Sequence, residues 1–136
     1  MTDEEKKELL NKVKVIAVVG ISQNLNKPSN IVARYLKQEG YTIIPVNPNY
    51  NEVLGEKCYR SLVDIKERID IVDIFMRSEK LMPIVEEAVK IKPQCIWLQL
   101  GIINESVKRL AEENNIKFVM DQCIKIEHTR LIKGFM

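Results

Sequence analysis

Glycine is scarce here, five in 136 residues, and no three of them form the G-x-G-x-x-G run that lets a backbone wrap a dinucleotide pyrophosphate. Histidine is scarcer, with His128 alone. Asp121, Glu127 and His128 are too few and too mixed to make a metal site, and none is expected. Three cysteines, Cys58, Cys95 and Cys123, contain no C-x-x-C pair and leave one over from any disulfide. That suits a reducing compartment and buried, inert thiols. An excess of one charge is also missing: 21 basic and 19 acidic residues leave +2, without the field of a polyanion binder, so nucleic acid is not an expected partner. No apolar run approaches the ~20 residues needed to cross a bilayer, and the opening MTDEEKKELLNK is charged, unlike a signal or transit peptide. A length of 136 residues suits one domain. The expectation is a single soluble, cytoplasmic domain with no membrane partner.

What is present is organised around residues 14–40, KVIAVVGISQNLNKPSNIVARYLKQEG. The unbroken β-branched run Val15–Val19 reads as a strand buried on both faces, as in a parallel sheet covered by helices. Gly20 follows, then a polar loop, then Pro28 and Ser29, good residues for the first turn or N-cap of a helix. Val32, Tyr35 and Leu36 have helical spacing, and Gly40 is a natural left-handed stop. A strand feeding a glycine turn into a helix N-terminus aims N–H groups and the positive dipole end at one point, which attracts phosphate.

The remaining elements follow in order. Thr2 and Glu5 match a capping box, predicting a helix over 3–12. Residues 41–46 are a second strand ended by Asn47-Pro48-Asn49, and Pro45 inside it argues for a strand near its end or an exposed ladder position. Residues 52–63 read as irregular, punctuated by Gly55, with one helical turn near 61–65. Strands are expected at 70–75, 94–100 and 117–120. A helix over about 80–91 has Pro83 in its first turn, and another is capped by Asn104. The tail from Cys123 shows no clear periodicity.

Strands alternating with helices give an α/β class: one Rossmann-like domain, a five-stranded parallel sheet in the order 3-2-1-4-5, helices on both faces. Ligands on such sheets bind beyond the carboxyl ends of the strands, where the order reverses. In the first loop Ser22, Lys27 and Ser29 join Gly20 as anion-binding groups. Read singly, Ser29 is an N-cap and Lys27 a solvated lysine. Arg77, directly after the third strand, offers a second phosphate contact. Gln99 and Gly101 end the fourth strand, with Gly101 permitting close approach of a ligand, while Trp97 is expected to pack against a helix. Val46-Asn47-Pro48 lacks the acidic residue that an NAD enzyme offers to ribose, so a hydride carrier is disfavoured. No catalytic constellation stands out, although Cys123 and His128 have the chemistry of a nucleophile and base.

Taken together, AVVGIS, KPSNIVARYLKQEGY, IIPVNPNY, VLGEKCYRSL, DIVDIFMRSE, WLQLGI and MDQCIKIEHTRL resemble the small stand-alone CoA-binding proteins of bacteria and archaea. That family is related to the CoA-binding domain of the succinyl-CoA synthetase α-subunit and of NDP-forming acyl-CoA synthetases. The likeness covers about residues 13–131. It implies a protein that binds coenzyme A, or an acyl-CoA, without catalysis of its own. It places Gly20, Ser22, Lys27 and Ser29 around the phosphates and Asn47 and Pro48 beside the adenosine. Its F-x-R-S motif falls on Phe75, Arg77 and Ser78, and its W-x-Q-x-G motif on Trp97, Gln99 and Gly101. The family usually has arginine where this chain has Lys27, which keeps the charge but loses bidentate geometry. Ligase activity is not expected, since no further domain follows. The alternatives are an enzyme acting on a CoA thioester through Cys123, or a subunit that senses acyl-CoA for a partner. Leu131, Ile132 and Phe135 of the tail are expected to be exposed and offer a homodimer contact.

Overall fold

The structure, a computed structural model, describes residues 1–134; Phe135 lies outside them. Helix α1, Asp3–Lys12, begins at a complete capping box in which the Thr2 hydroxyl accepts from the Glu5 amide while the Glu5 carboxylate accepts from the Thr2 amide. Strand β1, Val15–Val19, leads through Gly20 to α2, Pro28–Gln38, which stops before Gly40 at φ +100°. Strand β2 is Thr42–Val46. Where the sequence reads as irregular, β3, Glu52–Val53, and β4, Glu56–Lys57, form a small hairpin. Its turn is Leu54-Gly55, both at positive φ, the geometry that twists with the strands. A 3₁₀ turn at Leu62–Asp64, capped by the Ser61 hydroxyl, precedes β5, Ile71–Ile74. Another, Ser78–Lys80, leads into α3, Leu81–Ile91, with Pro83 in its first turn. Strand β6, Cys95–Leu98, α4, Glu105–Glu113, β7, Lys117–Val119, and α5, Ile124–Leu131, complete the described chain.

The five long strands pair in parallel in the order β2-β1-β5-β6-β7. Numbered along the chain as five strands that order is 2-1-3-4-5, so the Rossmann-like parallel sheet stands and one strand of the expected 3-2-1-4-5 order changes place. The chain after β2 crosses back over β1 to form β5. It does not extend the sheet outward. Pro45 supplies the reason. Thr42 donates to Lys14 on the β1 side, and in a parallel strand alternate residues face opposite neighbours, so Pro45 faces outward. With no N–H to give, it confines β2 to the edge, where its carbonyl accepts only from Tyr59.

Both sheet faces are covered, as expected. One core joins Leu10 of α1, Leu36 of α2 and Ile124 of α5 to Ile16, Ile71 and Trp97. The other joins Leu81 and Val85 of α3 and Val107 and Ala111 of α4 to Ala17, Val72 and Ile96. No helix among the described residues is long and apolar enough to cross a membrane. The tail is a helix because it has a buried face, Ile124, Glu127 and His128, at helical spacing. Two of those three residues are polar, which is why hydrophobic periodicity does not show it. Leu131 and Ile132 are half-buried and not fully exposed, with Ile132 packed against the first core.

Candidate functional site

The chain leaves β1 toward β2 on one side of the sheet, while β5 pairs on the other. The carboxyl ends of β1 and β5 therefore flank the point where winding reverses. At that point Gly20, φ +83°, donates to the Val46 carbonyl at 2.9 Å. A Cβ on Gly20 would lie 2.3 Å from the Phe75 carbonyl oxygen. Only glycine lets the two strand exits come this close.

The loop after Gly20 is braced by its own polar groups. The Ser29 hydroxyl accepts from the Ser22 amide, the Ser22 hydroxyl from the Asn24 amide, and the Asn24 side chain from the Asn26 amide. Below them Asn30, 1% exposed, donates to the Ser22 carbonyl. Ser29 is thus a buried loop staple in the first turn of α2. The N-cap is Lys27, whose own side chain makes no capping bond. Lys27 is exposed and outside any ion pair among the described residues.

Two clefts open on this rim. The larger, about 750 Å³, lies between α2, the β5 and β6 exits and α5, and is lined largely by apolar side chains, including Val32, Phe75, Ile102 and Ile126. Arg77, Ser78, Gln99 and Gly101 line it too, so four of the expected site residues meet there. The smaller, about 350 Å³, gathers Gly20, Asn47 and Pro48 with Arg60 and Lys80. Met76 lines both and forms the wall between them. Lys27, Ser22 and Ser29 line neither, although Pro28, next to Lys27, lines the larger cleft.

Most of the polar rim residues hold the rim together. The Asn47 amide donates to the Ile21 carbonyl at 2.9 Å and its carbonyl accepts from Asn49, tying the β2 exit to the first loop. The Ser78 hydroxyl donates to the Ile103 carbonyl at 2.8 Å, and Asn104 donates back to Ser78, joining the loops after β5 and β6. The Gly101 amide, at φ +86°, donates to Asp121. Gln99 donates its side-chain amide to Asp73, whose carboxyl is driven up to about 8 by burial. One Asp73 oxygen, Oδ2, has no hydrogen-bond partner among the described residues. Arg77 is exposed and outside every ion pair among the described residues, a cation left free at the mouth of an apolar cleft.

The thiols divide differently from the expectation. Cys58 and Cys95 are buried, and burial raises both, Cys95 to about 12. Cys123 is half-exposed and lines the large cleft. It has no bond to His128, whose Nδ1 lies 2.7 Å from the Tyr35 hydroxyl and whose ring meets Tyr41 edge-on. Trp97 is fully buried, and its ring N–H donates to the Gln122 carbonyl, a packing role as expected. Met76, Arg60 and Lys80 belong to the rim without having been singled out from the sequence, while Asp73 lies fully buried behind it in a polar contact with Gln99. Met76 alone had a usable signal, its place directly after a buried strand.

Residues 14–129 match the family described as "CoA binding domain". The Bacillus subtilis "Uncharacterized protein YneT" is 41% identical over 124 residues, covering 91% of this chain and 92% of that protein. A solved structure from Thermus thermophilus superposes with a TM-score of 0.93 at 38% identity, over 96% of this chain and 99% of that one. "Acetate--CoA ligase [ADP-forming]" of Methanocaldococcus jannaschii is 28% identical over a 126-residue alignment that covers 87% of this chain and 18% of the ligase. This chain thus spans less than a fifth of that enzyme.

Proposed function

Because the chain belongs to the CoA-binding domain family, we propose that it binds coenzyme A or an acyl-CoA across the carboxyl rim of the sheet, in a reducing cytosol, without catalysing a reaction. The observation that carries this reading is the large apolar cleft with Arg77 at its mouth, opening beside the glycine turn. An uncharged pantetheine arm suits the apolar walls, and its diphosphate suits Arg77 and Lys27 at the edge. The braced loop needs little reordering to receive it. That the ADP-forming ligase relative has a region of this kind supports the reading.

Binding without catalysis is favoured because no nucleophile and base meet at the cleft among the described residues: His128 faces Tyr35, not Cys123. The second reading, thiol chemistry on the ligand, has one observation behind it, the place of Cys123 in the cleft wall. Calorimetric and thermal-shift titrations with CoA, acetyl-CoA, NAD and ATP test the proposal. A true ligand at 100 times its Kd adds about 2.7 kcal/mol of stability. A shift with NAD and none with CoA overturns it.

A further inference from the structure

The small cleft carries charge that an arm and a diphosphate leave unused. Arg60, between β4 and the following 3₁₀ turn, and Lys80, immediately before α3, come from segments twenty residues apart and line the same 350 Å³. Both are exposed, and neither has a carboxylate within ion-pair distance among the described residues. The cleft holds one acidic group, Glu87, and its Oε1 accepts the Ser61 hydroxyl at 2.6 Å. Two cations against one hydrogen-bonded carboxylate leave the cleft net positive.

Its other wall is Gly20, Asn47 and Pro48, and Met76 divides it from the apolar cleft. A ligand with an arm in the large cleft and its diphosphate at the rim between them would direct its nucleoside end here. Coenzyme A carries, besides that diphosphate, a separate phosphomonoester on the ribose. A guanidinium with fork geometry and an ammonium together match a compact dianion.

We propose that Arg60 and Lys80 form a phosphomonoester subsite in the small cleft, which makes the protein selective for nucleotides bearing a ribose 3′-phosphate. This rests on the ligand reading above. A ligand that lacks the phosphomonoester forgoes the charge-assisted contacts with both cations and binds more weakly by what they contribute.

The test is calorimetry on the full chain with CoA and with 3′-dephospho-CoA, for the wild type and for R60Q/K80Q. The expected result is CoA binding at least about tenfold tighter than dephospho-CoA in the wild type. In the double variant the two ligands bind alike, with the affinity for dephospho-CoA unchanged. That gap should also shrink at high salt, since both cations are exposed. Equal binding of the two ligands by the wild type, or an undiminished gap in the variant, overturns the subsite while leaving CoA binding intact. Binding of neither ligand overturns the ligand reading and the subsite with it. Unchanged denaturation midpoints in the variant establish that any lost preference is local.

Discussion

Gln99 lines the large cleft and donates its side-chain amide to Asp73, a fully buried carboxyl that sits in register with Trp97, two residues short of Gln99. The pair places a titratable group directly behind the cleft wall. Folded, Asp73 keeps its proton up to about 8, against an ordinary value of 3.8, because burial disfavours the charge. Between those values the folded chain holds a proton that the unfolded chain has lost. Stability therefore falls as pH rises through this window, by at most ~1.4 kcal/mol per unit. His128, lowered by burial, gives the opposite slope at the acid end, so the comparison must be with a variant. Urea denaturation from pH 5 to 8 should show a downward component in the wild type that Asp73→Asn lacks. Parallel profiles would mean that Asp73 does not titrate here.

Gly20→Ala should cost roughly 2–4 kcal/mol, since it adds both positive-φ strain and a clash with backbone. Its Cβ would meet the Phe75 carbonyl oxygen at 2.3 Å, and a carbonyl in a strand exit cannot swing away as a side chain can. Denaturant midpoints measure the loss, and CoA titration should weaken in step because both clefts border this contact.

Arg77→Gln should leave stability within about 0.5 kcal/mol of wild type, as expected for an exposed residue without an ion pair. It should weaken binding of CoA and dephospho-CoA alike by ~1.5–3 kcal/mol, the range of a charged hydrogen bond. An unchanged Kd would remove Arg77 from the site.

Lys6 is 4% exposed and its ammonium lies 2.6 Å from Glu127 Oε1 and 2.8 Å from the side-chain amide oxygen of Gln122, holding α1 to α5. Lys6→Met should destabilise by about 2–4 kcal/mol, somewhat below a fully orphaned buried charge because Arg130 still reaches Glu127. Burial acts to raise the Glu127 carboxyl, but hydrogen bonds from Arg130 and Lys6 outweigh it and hold the group below its ordinary 4.5. Its contribution is therefore present above that value and lost as pH falls through the lowered one. Hydrogen-exchange protection factors in α1 and α5, which remove the intrinsic pH dependence of exchange, should fall on acidification, and do so sooner in the variant.

Of the three thiols, one should react quickly with a thiol reagent in the folded protein. Cys123 is half-exposed in the cleft wall, whereas burial pushes up both Cys58 and Cys95. Saturating CoA should slow that one reaction. Fast labelling of Cys95 would contradict the buried position.

The capping box at Thr2, the stop at Gly40, Pro83 in a first turn and the Asn104 cap were all legible in the chain. Each depends on residues within a few positions, and short-range chemistry survives whatever the rest of the protein does. Pro45 carried more than was taken from it: a missing N–H confines β2 to the edge, which is incompatible with a third strand beyond it. Helix α5 was hidden for the opposite reason. Its buried face contains Glu127 and His128, whose partners Lys6 and Tyr35 lie about a hundred residues away.

The repeating spacing of apolar residues and the turn chemistry were enough to specify alternating strands and helices with a phosphate-favouring loop after β1, because those signals are local. Which of the rim residues share a cavity was decided by tertiary packing alone. Arg60 and Lys80 come together only once β5 crosses to the far side of β1, and Ser29 turns inward only once the loop closes on Ser22. Charge and hydroxyl chemistry are written in the residue, whereas the partner they meet depends on how distant segments stack.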